Sequence, residues 1–405
     1  MPSDVLHPPL GTNPPTASLP AQTAVPEQTT QRQLHQLSLV HDIVADKYAY
    51  PDFNGHDWEA IVARYQALIE GGLSDDDYYS AMNLMISELG DEHSHFDSPA
   101  NAAQSDAELT QSTNYVGIGV RGERIAGTQT DIVVAVFPGS PAAEAGLRAH
   151  DKLLAVDGLP FRDDAGVSRS LGEAGTSFQL TYQRPGEEEK TITMARRAVT
   201  GFTPVDYCLV PNTRIGYIMV PTFFDDAIDD QVRTAMEKMT ADGPLDGLVI
   251  DNRLNGGGSS DVLNPMLGFF TSGNQGSFVS RTSEDEFDVT PEDVGGSQTV
   301  PLVILAGPDT VSYGEVFTGV LQNDGRAKVV GSPTAGNVEQ LYDSTFNADG
   351  ARLWLAEKTF QPLGLEPGAW EGKGIIPDVS APTRWDLFTE ATDPALARAV
   401  QLLTP

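Results

Sequence analysis

Between Gln31 and Phe96 the apolar residues recur at helical spacing. Leu34, Leu37, Ile43 and Val44 form one stripe, and Trp58, Ile61, Val62, Tyr65, Leu68 and Ile69 form a second, ended by Gly71-Gly72. Ser74 with Asp77 reads as a capping box that opens a third helix through Tyr78, Met82, Met85, Ile86 and Leu89, with Gly90 as its stop. GDEHSHF, residues 90–96, follows at once and leaves two histidines at the helix exit.

From Tyr115 to Val199 the period shortens to that of strands separated by glycine turns. YVGIGV (115–120), DIVVAVF (131–137) and KLLAVDG (152–158) read as strands. PGSPAAEAGL (138–147) reads as a turn and a short helix ended by Gly146, and SFQLTYQR (177–184) with KTITMA (190–195) flank a hairpin turn, PGEEE. From Arg214 onward strands and helices alternate. IGYIMV (215–220), GLVIDNR (247–253), VPLVILAG (300–307) and AKVVG (327–331) are nearly continuous apolar runs, as expected of buried strands covered by helices. Ile228, Val232, Ala235 and Met239 mark one covering helix, and Val316, Val320 and Leu321 another. The acidic stretch Ser283–Asp293 is expected to be a solvated loop. Residues 1–30 are rich in Pro, Thr and Ala, have neither period, and read as a flexible arm. The arm has no basic start and no apolar h-region, so it is not a secretory signal. Either the protein is cytosolic or an export signal was removed.

Composition narrows the function. The chain has 405 residues, enough for two to four domains, and 25 Lys+Arg against 57 Asp+Glu give a net charge of −32. Such a surface repels phosphate backbones, so nucleic acid is not an expected partner. A single cysteine, Cys208, excludes an intramolecular disulfide and a cysteine-built metal cage. No apolar run has the length of a membrane helix. No glycine motif fits a phosphate cradle.

Three places in the α/β part could carry chemistry. Asp251-Asn-Arg-Leu-Asn-Gly-Gly-Gly258 follows a buried strand, where bare glycine N–H groups can build an oxyanion hole or simply make a tight turn. Val311-Ser312-Tyr-Gly-Glu315 follows another strand and opens a helix. A serine there suits a nucleophile, but Ser312 with Glu315 is also an ordinary capping box. Trp370-Glu371-Gly-Lys-Gly-Ile-Ile-Pro-Asp378 sets a glutamate in a glycine-rich loop. With His93, these groups could supply nucleophile, base and orienting acid for acyl transfer, if folding joins them.

From Gln31 to Asp378 the chain resembles the C-terminal processing, or tail-specific, serine proteases. The middle module is similar to a PDZ domain in PGSPAAEAGLRAHDKLLAVDG, with His150 where the family usually has Gly. The family's DxRxNxGG motif matches Asp251, Arg253, Asn255, Gly257 and Gly258, its serine motif begins at Ser312, and its closing motif matches 371–378. The resemblance implies an α/β protease core of crotonase-like fold, an N-terminal helical domain and an inserted β-rich PDZ domain. The implied boundaries are 1–30 arm, 31–110 helical domain, 111–200 PDZ domain and 201–405 core. The peptide-carboxylate loop falls on Tyr115, Val116, Gly117, Ile118, Gly119 and Val120.

Many members use a serine–lysine dyad with lysine 25 residues after the serine. Here 312 + 25 gives Asn337, and an amide cannot act as the base. A second branch is similar in using Ser-His-Glu, which maps to Ser312, His93 (in Gly90-Asp-Glu-His93) and Glu371, with His95 as a rival to His93. Imidazole can serve as general base at neutral pH. The resemblance therefore implies a serine endopeptidase that needs no metal or organic cofactor and acts on polypeptides with free C-termini. Its oxyanion hole would be the N–H groups of Gly257 and Tyr313. The competing readings are an inactive protease-like PDZ scaffold and a dyad using the displaced Lys328 or Lys358. Family resemblance suggests an extracytoplasmic location. The oligomeric state is not readable.

Overall fold

In a computed structural model the described residues are 19–404, apart from 92, 104–113, 126–127, 164–165 and 347. Residues 1–18 of the expected arm and the expected boundary at 110/111 lie outside them. The first helix, α1, runs Glu27–Lys47, so the end of the expected arm is already helical. Just before it, Thr23 N–H donates to Gly72 O at 2.9 Å, which ties this stretch to the end of the second helix.

Helix α2 (Trp58–Glu70) ends at the Gly71-Gly72 stop the sequence places, and α3 (Asp75–Ser87) opens at its Ser74 cap. The Ser74 hydroxyl accepts from Asp77 N–H at 3.2 Å, and Gly72 and Gly90 take positive φ. The three helices do not form a separate core. Leu37, Val44, Trp58, Tyr65 and Met82 pack with Phe346, Leu353 and Leu355, which belong to a long hairpin far down the chain. That hairpin was not legible in the sequence. Strand β1 (His95–Asp97) pairs with it and carries the histidine segment onto its edge.

The middle module contains β2 (Asn114–Gly117), β3 (Val120–Arg124), β4 (Asp131–Val136), α4 (Pro141–Glu144), β5 (Lys152–Val156), β6 (Leu159–Pro160), β7 (Ser177–Gln183), β8 (Lys190–Ala195) and β9 (Arg197–Thr200). Its sheet runs β3-β4-β5-β7-β8 with β6 on β5, while β2 pairs with β9. The alternation in SFQLTYQ buries Phe178, Leu180 and Tyr182 on one face, as the two-residue period requires.

The remaining strands are β10 (Tyr207–Leu209), β11 (Ile215–Met219), β12 (Gly247–Asp251), β13 (Gly273–Val279), β14 (Glu284–Val289), β15 (Leu302–Ala306), β16 (Ala327–Gly331), β17 (Glu339–Thr345), β18 (Arg352–Pro362) and β19 (Val379–Ser380). Helices α5 (Ile228–Thr240), α6 (Ser260–Gly268), α7 (Tyr313–Asn323) and α8 (Pro394–Leu403) are interleaved with them. The main sheet has the order β10-β11-β12-β15-β16-β19, parallel from β11 to β19. A second sheet, β1-β18-β13-β14 with β17 on β18, lies beside it. The acidic stretch expected as a loop contains β14, paired antiparallel with β13. Its Phe287 and Val289 point into the core while the strand's acidic residues Glu284, Asp285, Glu286 and Asp288 are exposed, so charge masked a strand.

The middle module is fixed to the main sheet through the C-terminal segment. Ile132 and Val134 share a core with Tyr217, Trp385 and Leu396. His150 has φ +73°, which explains why a glycine would suit this turn. Its ring stacks on Trp385 at 3.8 Å, and its Nδ1 meets Trp385 O at 2.8 Å. Among the described residues no helix is long and apolar enough to cross a membrane.

Candidate active site

The site forms where β12 and β15 end. Asp251, the last residue of β12, accepts from Tyr217 Oη at 2.8 Å and from Arg253 Nε at 2.9 Å. Arg253 is 2% exposed and also pairs with Asp393 at the start of α8. The Asp-x-Arg pair is therefore a buried brace under the glycine turn, with its charges matched inside the protein. The two asparagines connect this turn to α7. Asn252 Nδ2 donates to Gly314 O at 2.8 Å, Asn255 Nδ2 donates to Asn252 Oδ1 at 2.9 Å, and Val311 N–H donates to Asn255 O at 3.0 Å.

These bonds hold Ser312 at φ 55°, ψ −127°. A non-glycine residue in such a conformation costs about 1–3 kcal/mol and is found where the surroundings enforce it. The plain capping box does not form: the Ser312 side chain caps nothing in α7. Glu315 turns away and accepts from Thr334 Oγ1 at 2.5 Å, from Gly336 N–H at 2.7 Å and from Asn337 N–H at 2.7 Å. Burial pushes the Glu315 carboxyl up to about 7 against these donors.

His93 and Ser312 line one cavity of about 810 Å³. Asp91 positions the histidine segment by accepting from His93 N–H at 3.0 Å and from Ser94 N–H at 2.5 Å. His95 Nδ1 contacts the His93 carbonyl at 2.9 Å, and its ring stacks on Trp354, which also lines the cavity.

The acid beside the imidazole differs from the sequence expectation. His93 Nδ1 meets Glu339 Oε2 at 3.2 Å, and the Glu339 side chain is 1% exposed. Tyr50 Oη donates to its other oxygen at 3.0 Å. Glu371 stands one step behind: it is hydrogen-bonded to Glu339 and accepts from Val338 N–H at 3.0 Å. Burial, then the charge of Glu339, pushes Glu371 up to about 10, so it carries a proton at neutral pH. Burial also pushes Glu339 upward, but the hydrogen bond and charge of His93 win and hold it below the usual carboxylate range. The expectation that Glu371 contacts the histidine is thus corrected to Glu339, with Glu371 as its proton-bearing neighbour. Spacing from the serine leads to Glu371. The missed signal was a second glutamate, two residues past Asn337 in Thr334-Ala-Gly-Asn-Val-Glu339.

The expected oxyanion pair is also altered. Gly257 N–H donates to Asn255 Oδ1 at 3.0 Å, which takes it out of the cleft. Gly257 has another role: at φ +91° it lies so close that an added Cβ would sit 2.7 Å from Ser312 Cβ. Gly256, Gly258 and Tyr313 line the cavity. The displaced lysines are elsewhere. Lys328 pairs with Asp378 and Lys358 with Asp285, both at the surface.

A second cavity lies in the middle module, lined by Tyr115, Ile118, Val120, Phe137 and Leu171 among others. Val116 and Gly117 of the expected carboxylate loop pair with Ala198 and Arg197 in the β2–β9 ladder. Arg121 and Thr203 line both this cavity and the one holding Ser312.

The family description Peptidase family S41 matches residues 214–381, which hold the glycine turn, Ser312 and the closing motif. Residues 214–381 therefore carry a peptidase family S41 domain. A PDZ domain matches at 132–184 and the tricorn protease C1 domain at 40–87, in the three helices. A carboxyl-terminal-processing protease of Picosynechococcus sp. is 26% identical over 89% of this chain and 87% of its own length. One from Synechocystis sp. is 26% identical over 89% and 84%. The solved photosystem II D1 C-terminal processing protease superposes with a TM-score of 0.57 at 23% identity, covering 88% of this chain and 94% of that one. The chain is thus a serine-type peptidase with an S41 protease fold, a helical N-terminal region and a PDZ domain, similar over most of its length to carboxyl-terminal-processing proteases.

Proposed function

We propose that this S41 peptidase cleaves polypeptides near their C-termini with Ser312 as nucleophile, His93 as general base and Glu339 as the acid that orients the base. One observation carries the reading: a serine in an enforced left-handed backbone conformation shares a cavity with a histidine whose Nδ1 is held by a buried carboxylate. With Nδ1 committed to Glu339, Nε2 is the nitrogen left to take the proton from Ser312 Oγ and return it to the leaving amine. Glu339 compensates the imidazolium as it forms. Protonated Glu371 donates to Glu339, so the two acids together carry one negative charge. The oxyanion of the tetrahedral intermediates that precede and follow the acyl-enzyme is stabilised by Tyr313 N–H, at the start of α7, and by Gly258 N–H of the glycine turn. The parallel strands and their covering helices support a crotonase-like description of this core.

The PDZ domain holds the free C-terminus of the substrate, and its cavity adjoins the cleft at Arg121 and Thr203. A bound tail would therefore run toward Ser312. The scaffold alternative drew its strength from the missing lysine. With the base on His93, Asn337 needs no proton-transfer role, and its N–H serves as a donor to Glu315.

The test is labelling with a serine-directed fluorophosphonate. Wild type should label, Ser312→Ala should not, and His93→Ala should label slower by orders of magnitude. Because no cap bond is lost, Ser312→Ala should keep the wild-type Tm. Full labelling of folded Ser312→Ala, or an unimpaired His93→Ala enzyme, would remove that residue from the mechanism.

A further inference from the structure

The PDZ cavity is not an open carboxylate seat. Gly119 and Val120 supply the turn whose N–H groups would receive a peptide carboxylate, and the Val120 N–H already points at the Tyr115 hydroxyl. Val120 N–H donates to Tyr115 Oη at 3.1 Å, and that hydroxyl donates in turn to Val120 O at 3.3 Å. The ring is laid tightly in place. A Cβ on Gly117 would sit 2.8 Å from Tyr115 Cε2, and Phe137 meets the ring edge-on with centroids 6.2 Å apart. Gly119 has φ +81°, and a Cβ there would sit 2.1 Å from Ser140 Cβ, so the turn itself is fixed. Beyond it, β3 (Val120–Arg124) is the edge strand of its sheet, the position at which an extended peptide can add as a further strand.

We infer that the Tyr115 hydroxyl is a built-in occupant of the carboxylate seat, so that the tail site rests closed and opens only to a ligand able to displace a phenol. The inference rests on the reading above that this domain binds free C-termini. The physical basis is a difference in acceptor strength. A neutral hydroxyl satisfies the Val120 N–H in the resting state, so it is not left buried and unpaired. A carboxylate makes charge-assisted hydrogen bonds roughly twice as strong, and it displaces the hydroxyl. An internal segment or an amidated end brings only a neutral carbonyl, which gains nothing over the phenol. Tyr115 therefore sets selectivity: its presence lowers affinity for every tail, but it lowers access for uncharged chain ends below a useful level.

The test uses the full chain carrying Ser312→Ala, which prevents turnover. The probes are a fluorescein-labelled decapeptide ending in Leu-Val with a free carboxylate, and the same peptide amidated. Adding Tyr115→Phe keeps the ring and removes the occupant. Free-acid binding, read by anisotropy, should tighten about tenfold, the worth of one net hydrogen bond. The amide should become measurable and narrow the gap to the acid. Tyr115→Met, which lacks the hydroxyl and the ring, should also tighten the free acid and guards against a ring-specific artefact. Unchanged or weaker free-acid binding in both variants, with wild type binding the acid, would overturn the built-in occupant and leave tail recognition standing. No binding of either peptide by any variant would overturn tail recognition and the inference with it.

Discussion

At the scale of single residues, Gly257 and the two acids make the sharpest predictions. Gly257 donates nothing to the cleft but must be bare. A Cβ would sit 2.7 Å from Ser312 Cβ and 3.1 Å from Tyr313 N, at φ +91°. Gly257→Ala should cut kcat/KM at least about a hundredfold, since a misplacement near 1 Å at the reacting group has that effect. A near-normal rate in the purified variant would mean the turn yields freely. The acids should separate cleanly. Glu339→Gln removes the charge beside His93 Nδ1 and should lower kcat/KM by about 10²–10⁴, as loss of the acid does in other triads. Glu371→Gln should cost less than about tenfold. The amide can donate to Glu339 as the protonated carboxyl does and still accept from Val338 N–H. The two kcat/KM ratios measured side by side check the order, and the reverse order would restore Glu371 as the orienting acid.

Among the elements, the turn at His150 joins two domains. Sequence comparison flags this position only as a departure from glycine, a matter of local turn geometry. In the fold the ring stacks on Trp385, its Nδ1 meets Trp385 O, and Trp385 Nε1 donates to Val133 O at 3.2 Å. Burial holds the His150 pKa below the usual imidazole value, so the ring is neutral in this stack. His150→Gly relieves a positive φ, worth roughly 1 kcal/mol, but removes an aromatic contact worth about as much again plus the buried area. The net expectation is destabilisation by about 1–2 kcal/mol, read by urea unfolding, with increased protease nicking between PDZ and core. A more stable variant would show that the turn strain outweighs the stack. The strand β14 teaches a related lesson. Four acidic residues outweigh two buried apolar ones in any window average, although alternation was present in Glu-Phe-Asp-Val.

For the whole molecule, the buried acids near His93 couple folding to pH. Glu315 is raised from 4.5 to about 7 and Glu371 from 4.5 to about 10. The native state therefore binds more protons than the unfolded chain above pH 4.5, and stability falls as pH rises, through about 7 for Glu315 and on toward about 10 for Glu371. Glu339, held low, acts in the opposite sense and only on acidification below its usual range. The net charge of −32 adds general repulsion in the same direction as Glu315 and Glu371. The comparison that isolates the buried acids is Tm at pH 5.5 and 8 for wild type and Glu315→Gln/Glu371→Gln. The wild-type drop should exceed the variant's by several degrees. Equal drops would place the effect on the surface charge instead.

The sequence by itself determined what repeats locally. Helix periods with their Ser74 cap and Gly72 and Gly90 stops, the buried parallel strands, the glycine turn after β12, and the placing of Ser312 and His93 are properties of short segments. Propensity, alternation and turn chemistry act within a few residues, so they can be read without a fold. What faces what was decided only by tertiary structure. Glu339 reaches His93 because β1 pairs with β18 and β17 lies on its other side, a contact across 246 residues. Glu315 could have closed a capping box with Ser312. It turned instead to three donors in the 334–337 loop, because a buried loop must have its N–H groups satisfied. Gly257 was legible as a glycine that mattered, yet whether it offers a proton or only room depended on where Asn255 and Ser312 came to rest. Local rules name the groups available for chemistry, and the packing of distant strands settles which of them meet.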